Sequence, residues 1–409
     1  MFNRRIGLVV CAIAMSLSGC MGLKMGSGPD WPMVRGNPAA TAESPDREIA
    51  SPMEVVWVFP SGGELSTPVV MDGLVYVGGT DGVLTAISVG NGRVVWQDRQ
   101  VMPVTVAPAI SDRALYLVTY TGELLAIDKK TGKRLWREQV AAAHHPAGVV
   151  AADGTIYAAT IEGTLAARQE VEDVAGKWQW KIQVVGGISG APAVGDGRVV
   201  VSTRTKGAVV CFDAGTGEEL WRTAVNKSLS PPAVYTIHKR VVVAAEEQVV
   251  ALELEDGEQA WTFDARALIV GEPALASGLA IIATVPEAGE SSLHTIDVYN
   301  GKEVMKRRIP GHALSSPIIA NHAAYLATSG ANQEYVAVGL WLGDIVDAGY
   351  NDKAFGKTVC VGANRLFVTT DSGELRCYGP AAKAPEETPY ERYRRQIQEG
   401  PPTSRGSLR

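Results

Sequence analysis

The side chains best suited to chemistry in this sequence are few, and they do not gather. His144 and His145 are adjacent, but His238, His294, His312 and His322 stand far apart along the chain. No grouping of Cys, His and Asp has the spacing of a zinc site. There is no Gly-x-Ser-x-Gly elbow and no glycine-rich phosphate loop opening a helix, and Gly79-x-Asp81-Gly82 has the composition of a hairpin turn. The five cysteines, Cys11, Cys20, Cys211, Cys360 and Cys377, include no adjacent pair. With 38 Lys and Arg against 44 Asp and Glu the net charge is −6, the wrong sign for the basic stripe that nucleic acid binding needs. These observations predict no catalytic residue, no metal ligand and no cofactor. The chain should work by presenting a surface.

That surface must be built by a repeat. Ala126-x-Asp128-x-x-Thr131-Gly132-x-x-x-Trp136 sets a frame of small residue, Gly and large residue that recurs at Ala86/Gly92/Trp96, Cys211/Gly217/Trp221 and Ala251/Gly257/Trp261. Weaker copies stand at Thr295/Gly301/Met305 and Ala337/Gly343/Asp347, and one with a four-residue insertion runs from Ala166 to Gly176 and Trp180. Each is preceded by a Pro and, eight places on, a Tyr or aliphatic residue, as in Pro68/Tyr76, Pro108/Tyr116 and Pro317/Tyr325. Turn formers such as Asp72-Gly73 and Asp196-Gly197 lie between runs rich in Val, Ile and Ala, which is the signal of β-hairpins. One unit reads as four short strands, Pro68 to Met71, Leu74 to Gly78, Val83 to Ile87 and Arg93 to Trp96. Four antiparallel strands repeating at about 40 residues predict an all-β, eight-bladed β-propeller. The last unit, from Val359 to Tyr378, lacks a fourth strand, and Glu54 to Phe59 is a fourth strand without a blade. The N-terminal strand should therefore complete the C-terminal blade and leave no open edge.

The repeated Asp, Thr, Gly and Trp resemble the tryptophan-docking motif of the quinoprotein-type, or PQQ-like, eight-bladed propellers over residues 54 to 379. Two kinds of protein carry such repeats: quinoprotein dehydrogenases, and non-enzymatic BamB-type lipoproteins of the outer-membrane barrel-assembly machinery. The dehydrogenases resembled hold quinone and calcium with an adjacent-Cys disulfide, acidic and amide ligands and a catalytic Asp on longer chains, and this sequence has no Cys-Cys dipeptide. The resemblance therefore implies a non-enzymatic scaffold in outer-membrane β-barrel protein assembly, with a subunit of that machinery as partner. The alternatives are a PQQ-dependent dehydrogenase-like enzyme or a scaffold of another envelope complex.

Residues 1–19 read as an export signal: Arg4 and Arg5 precede an apolar stretch too short to span a bilayer as a mature helix, and Leu17-Ser18-Gly19-Cys20 follows. That tetrapeptide resembles a bacterial lipobox, with Cys20 as the lipidation site and Met21 favouring the outer membrane. Loss of the two arginines takes the net charge from −6 to about −8. Residues 20–52 form a tether rich in Gly, Pro and Ser, in which Asp30 to Asn37 either packs on the ring through Trp31 or contacts a partner. The propeller occupies 53–379. A tail over 380–409, rich in Pro and charge, includes a short helix candidate at Glu391 to Glu399. Cys360 and Cys377 fall in one blade and could pair; buried free thiols are the other reading.

Propeller topology divides the loops between two faces. Turns one-to-two and three-to-four are short and share one face, whereas turns two-to-three and the links between blades share the other. The links carry apolar residues where water would favour polar ones, which suits either a docking patch or packing that closes the channel mouth. The contacts expected there are Met102, His145, Ile188, Leu229, Leu268, Ile269 and Leu314.

Overall fold

The computed structural model describes residues 29–46, 49, 51–99, 103–142, 145–170, 178–330, 333–350 and 355–380. Met1 to Gly28, with the signal and Cys20, lie outside the described residues, as do Met102, His144 and the tail from 381 onwards.

Each repeat folds as expected into four antiparallel strands, giving eight separate sheets arranged as blades. The first blade is Val69–Met71, Leu74–Gly78, Val83–Ser88 and Val94–Arg99, paired in chain order. The eighth consists of Gly356–Gly362, Arg365–Thr370 and Glu374–Pro380, completed by Met53–Pro60 from the other end of the chain. In the seventh blade the inner strand is split into His312–Ala313 and Ile318–Ala320, both paired with Ala323–Ser329. The one short 3-10 turn described, Thr236–His238, replaces a plain hairpin turn in the fifth blade.

The repeat motif is the mortar between blades. The indoles of Trp57, Trp96, Trp180, Trp221 and Trp261 lie over the turn glycine of the next blade: a Cβ added at Gly132 would stand 2.6 Å from Trp96, and one at Gly257 2.5 Å from Trp221. The indole N–H donates to a carbonyl of the same neighbouring turn, from Trp96 to Lys129 at 3.0 Å, Trp180 to Ala214 at 3.0 Å and Trp261 to Val298 at 2.7 Å. Glycine is needed twice over, for close approach and for the left-handed backbone, with φ of 73° at Gly132 and 75° at Gly257. Where the second strand carries a Tyr, as in the first blade, it completes the joint. Tyr76 packs 5.9 Å from Trp96, and its hydroxyl donates to the same Lys129 carbonyl at 3.0 Å. The small residue faces the indole across the ladder, as Ala126 does Trp136 and Cys377 does Trp57. In the third blade it is Ala167, one place beyond Ala166, that pairs with Trp180, so the insertion there is three residues.

Outermost strands bury little besides this indole. Val94–Arg99, Arg134–Gln139, Glu219–Ala224 and Gln259–Asp264 share one pattern, with only the Trp buried. The inner strands are buried on both faces by neighbouring blades, which explains their near-continuous Val, Ile and Ala. Cys211, Cys360 and Cys377 are buried free thiols.

Candidate functional site

Val34 and Arg35 form the floor of a funnel that descends from the link face along the axis of the ring. Its wall receives residues from every blade, among them Thr67, Ala107, Gly148, Gly190, Pro231, Gly271, Ser316 and Thr358. Two adjoining hollows of about 270 and about 310 Å³ share Val34, Arg35, Thr67 and Glu272.

The floor exists because the stretch from Pro29 to Asp46 plugs the opposite end of the channel. Trp31 exchanges both backbone hydrogen bonds with Val70 at 2.8 Å, and Ile110 N–H donates to Pro32, Val194 to Pro38, Val234 to Ala39, Leu275 to Thr41 and Ile319 to Ala42. Together with Ala363 N–H on the Pro29 carbonyl, these bonds tie the plug to seven blades. Trp31 is buried, and Arg35, Ala40 and Ala42 adopt positive φ to follow the curve. Part of the stretch expected as tether is thus bonded into the ring. Its polar backbone satisfies inner strands that would otherwise end unpaired in the channel.

Arg35 locks the plug. Its Nη1 donates to the Pro317 carbonyl at 3.0 Å and its Nη2 to that of Pro273 at 2.6 Å, while Nε stands 3.8 Å from the Glu272 carboxylate. Burial pulls the guanidinium below its ordinary pKa, and Glu272 opposes that shift. Glu272 also accepts from the Ser316 hydroxyl at 2.7 Å.

The expected contacts divide by direction. Leu268 and Leu314 are 56% and 44% exposed on the link face. His145 is exposed there too, its Nδ1 2.9 Å from Glu162 and its ring edge-on to Tyr120 at 5.3 Å. Ile188, Leu229 and Ile269 are buried. Ile188 N–H donates to Ile161 and Ile269 N–H to Glu246, while Leu229 bridges Ala245, so these links run as short extended pieces whose alternate side chains turn inward. Reading the links as uniform loops missed that alternation. It also missed Val185, Tyr350 and Phe355, exposed apolar residues of the same face; Tyr350 and Phe355 flank one link and were visible in the sequence as aromatics there.

The funnel does not fit a calcium-held quinone. Its acidic lining residue is Glu272, already engaged by Arg35 and Ser316. No three His, Cys, Asp or Glu among the described residues converge as metal ligands, and Cys360 and Cys377 are buried free thiols that do not line the two hollows.

A family model described as outer membrane protein assembly factor BamB matches residues 24–173 and 167–286, more than half of the chain. The chain belongs to this family of PQQ-like propellers. Over 161 residues it is 35% identical to BamB of Burkholderia pseudomallei, covering 38% of this chain and 41% of that protein. Over 275 residues it is 27% identical to a tetrathionate hydrolase of Acidithiobacillus ferrooxidans, covering 60% of this chain and 53% of the hydrolase. The chain thus spans about half, or less, of these relatives. The crystal structure of BamB from Moraxella catarrhalis superposes with a TM-score of 0.63 at 16% identity, over 82% of this chain and 99% of that one. The quinohemoprotein alcohol dehydrogenase of Comamonas testosteroni gives 0.68 at 14% identity, over 88% and 82%. At these identities the structures show a shared fold.

Proposed function

We propose that this chain is a non-enzymatic scaffold on the periplasmic side of the outer membrane, held there by lipid on Cys20, and that it docks a subunit of the barrel-assembly machinery on its link face. The observation that carries this reading is the set of exposed apolar side chains gathered on the links, Leu268 and Leu314 with Val185, Tyr350 and Phe355. His145 extends the same face, and Met102, expected there from the sequence, lies outside the described residues. Buried Ile188, Leu229 and Ile269 hold the links in position beneath it. The BamB relatives and the family model support the assembly role.

A second reading, catalysis in the funnel, is motivated by the hydrolase and dehydrogenase relatives. It asks the funnel for a free acid or base, and Glu272 is the group it would have to use.

In-cell crosslinking followed by affinity purification and mass spectrometry tests the proposal. The scaffold reading expects the large barrel-assembly subunit, crosslinked through the links and lost on Leu268→Asp with Leu314→Asp. A preparation that comes out alone, with bound quinone and dye-linked dehydrogenase activity, would replace it with the enzyme reading.

A further inference from the structure

The hairpin face has its own apolar feature, confined to one sector. Ile237 at the inner turn of the fifth blade, Tyr299 at the outer turn of the sixth, and Trp341 and Leu342 at the outer turn of the seventh are 76%, 70%, 61% and 72% exposed. At equivalent turns elsewhere the chain carries Asp72, Asn91, Lys130, Thr131, Asp196 and Thr216, the polar residues that turn geometry and water both favour. Four large apolar side chains at turn tips of three successive blades therefore break a pattern the other described turns keep.

We propose that this sector of the hairpin face rests in the interfacial layer of a lipid bilayer, with Trp341, Leu342, Tyr299 and Ile237 dipping into it. The proposal rests on the lipid anchor at Cys20 put forward above for where the bilayer lies. Three observations choose a bilayer over other occupants.

The first is the route of the chain. Pro29 and Asp30 sit on this same face, Pro29 accepting from Ala363 N–H at the inner turn of the eighth blade and Asp30 from Asp72 N–H at that of the first. Eight residues separate Cys20 from Pro29, and nine steps of extended chain reach at most about 30 Å. The hairpin face, not the link face, is the one that chain can hold near lipid. The second is residue type: Trp and Tyr pair a flat apolar body with a polar edge and collect at membrane interfaces, while Leu and Ile supply apolar depth. The third is the form of the feature. The side chains stand on separate turn tips with polar Asn300 and Lys302 between them, a layout that suits penetration of a fluid surface. Nearby charge is mixed, with Lys239 ion-paired to Asp196, so the attraction is apolar and salt will not screen it.

The test reconstitutes the full lipidated chain in phosphatidylcholine vesicles with or without bromine on the acyl chains and follows tryptophan fluorescence. Brominated lipid should quench a component that is absent from Trp341→Phe and unchanged in molar salt. Leu342→Asp with Ile237→Asp should reduce that quenching while the melting curve stays that of the wild type. Equal quenching of wild type and Trp341→Phe would overturn the proposal. So would a dimer in solution that Leu342→Asp dissociates, which would make a second copy the occupant. Mass spectrometry of the N-terminal peptide reads Cys20 separately. Acylated protein without bromine quenching sinks this proposal and spares the anchor, whereas unacylated protein that added vesicles still quench sinks the anchor and sustains the tips.

Discussion

Asp347 occupies the place of a docking tryptophan, and its Oδ2 accepts the backbone N–H of Met53 at 3.2 Å. The substitution has a cause. At the seam between blades seven and eight the next outer strand begins the propeller at Met53, so there is no turn glycine for an indole to cover. A carboxylate takes over by capping that strand, and it also accepts from Tyr335 Oη at 3.3 Å and from Ala348 N–H at 2.9 Å.

Asp347→Asn should show this seam in a pH series. Burial outweighs the hydrogen bonds and raises the Asp347 carboxyl above its ordinary value, so the folded ring binds its proton more readily than the unfolded chain. Its contribution is full below the unfolded value of about 4 and is lost as pH rises through the raised folded value. Wild type should therefore lose stability relative to Asp347→Asn from about pH 4 towards neutrality, read by thermal melts at each pH. Parallel curves would refute the assignment.

Gly257→Ala and Gly73→Ala separate backbone strain from docking. Both positions have positive φ, 75° and 73°, but a Cβ at Gly73 meets nothing within 4 Å while one at Gly257 meets Trp221 at 2.5 Å. Gly73→Ala should cost about 1–2 kcal/mol. Gly257→Ala should cost a further ~1–3 kcal/mol from the clash, measured by urea denaturation.

Arg35→Met should loosen the plug. Loss of hydrogen bonds from a buried cation to two carbonyls predicts destabilisation of about 1.5–3 kcal/mol. Hydrogen exchange should rise first at Trp31, Ala42 and Ser44, whose N–H groups bond the ring or the plug itself. Uniform change across all blades would show that Arg35 does not act through the plug.

Leu268→Asp and Ile269→Asp, one residue apart, should differ sharply in stability. The first alters an exposed side chain and should stay within about 0.5 kcal/mol of wild type. The second puts an unpaired charge in the interior and should cost about 3–5 kcal/mol.

Cys211, Cys360 and Cys377 should resist thiol reagents until the ring unfolds. Burial pushes the Cys211 thiol up to about 11 and Cys377 up to about 12, and raises Cys360 as well; the reactive thiolate is scarce at neutral pH. Rapid labelling of native protein would contradict this.

The blades were legible because most joints between them repeat one local solution, in the first of which Gly132 must be small and left-handed to lie under Trp96, and Tyr76 reaches the same carbonyl. Such constraints recur in frame, so periodicity exposes them. The plug was legible only as an anchored Trp31. Its path is set by main-chain bonds to Val70, Ile110, Val194, Val234, Leu275 and Ile319, and backbone pairing leaves no mark on residue type. The links were half legible: Leu268 and Ile269 look alike in sequence, and only the extended backbone decides which one points out. Asp347 looked like a defect in the repeat because its partner, Met53, lies 294 residues away.

The closing sheet also sets a timetable. Met53 pairs with Pro380 and Phe59 with Leu375, so the earliest strand waits for the last one made. Bringing such distant segments together carries the largest loop-closure entropy in the chain, and folds dominated by remote pairings form slowly. Until the final strands arrive, Met53–Pro60 lacks the partner it has in the finished ring, and its run of Val55, Val56 and Val58 makes it a template for foreign strands. A ring of this design has a vulnerable interval during folding that ends only with its last described strand, and a chaperone for that interval would have a single strand to guard.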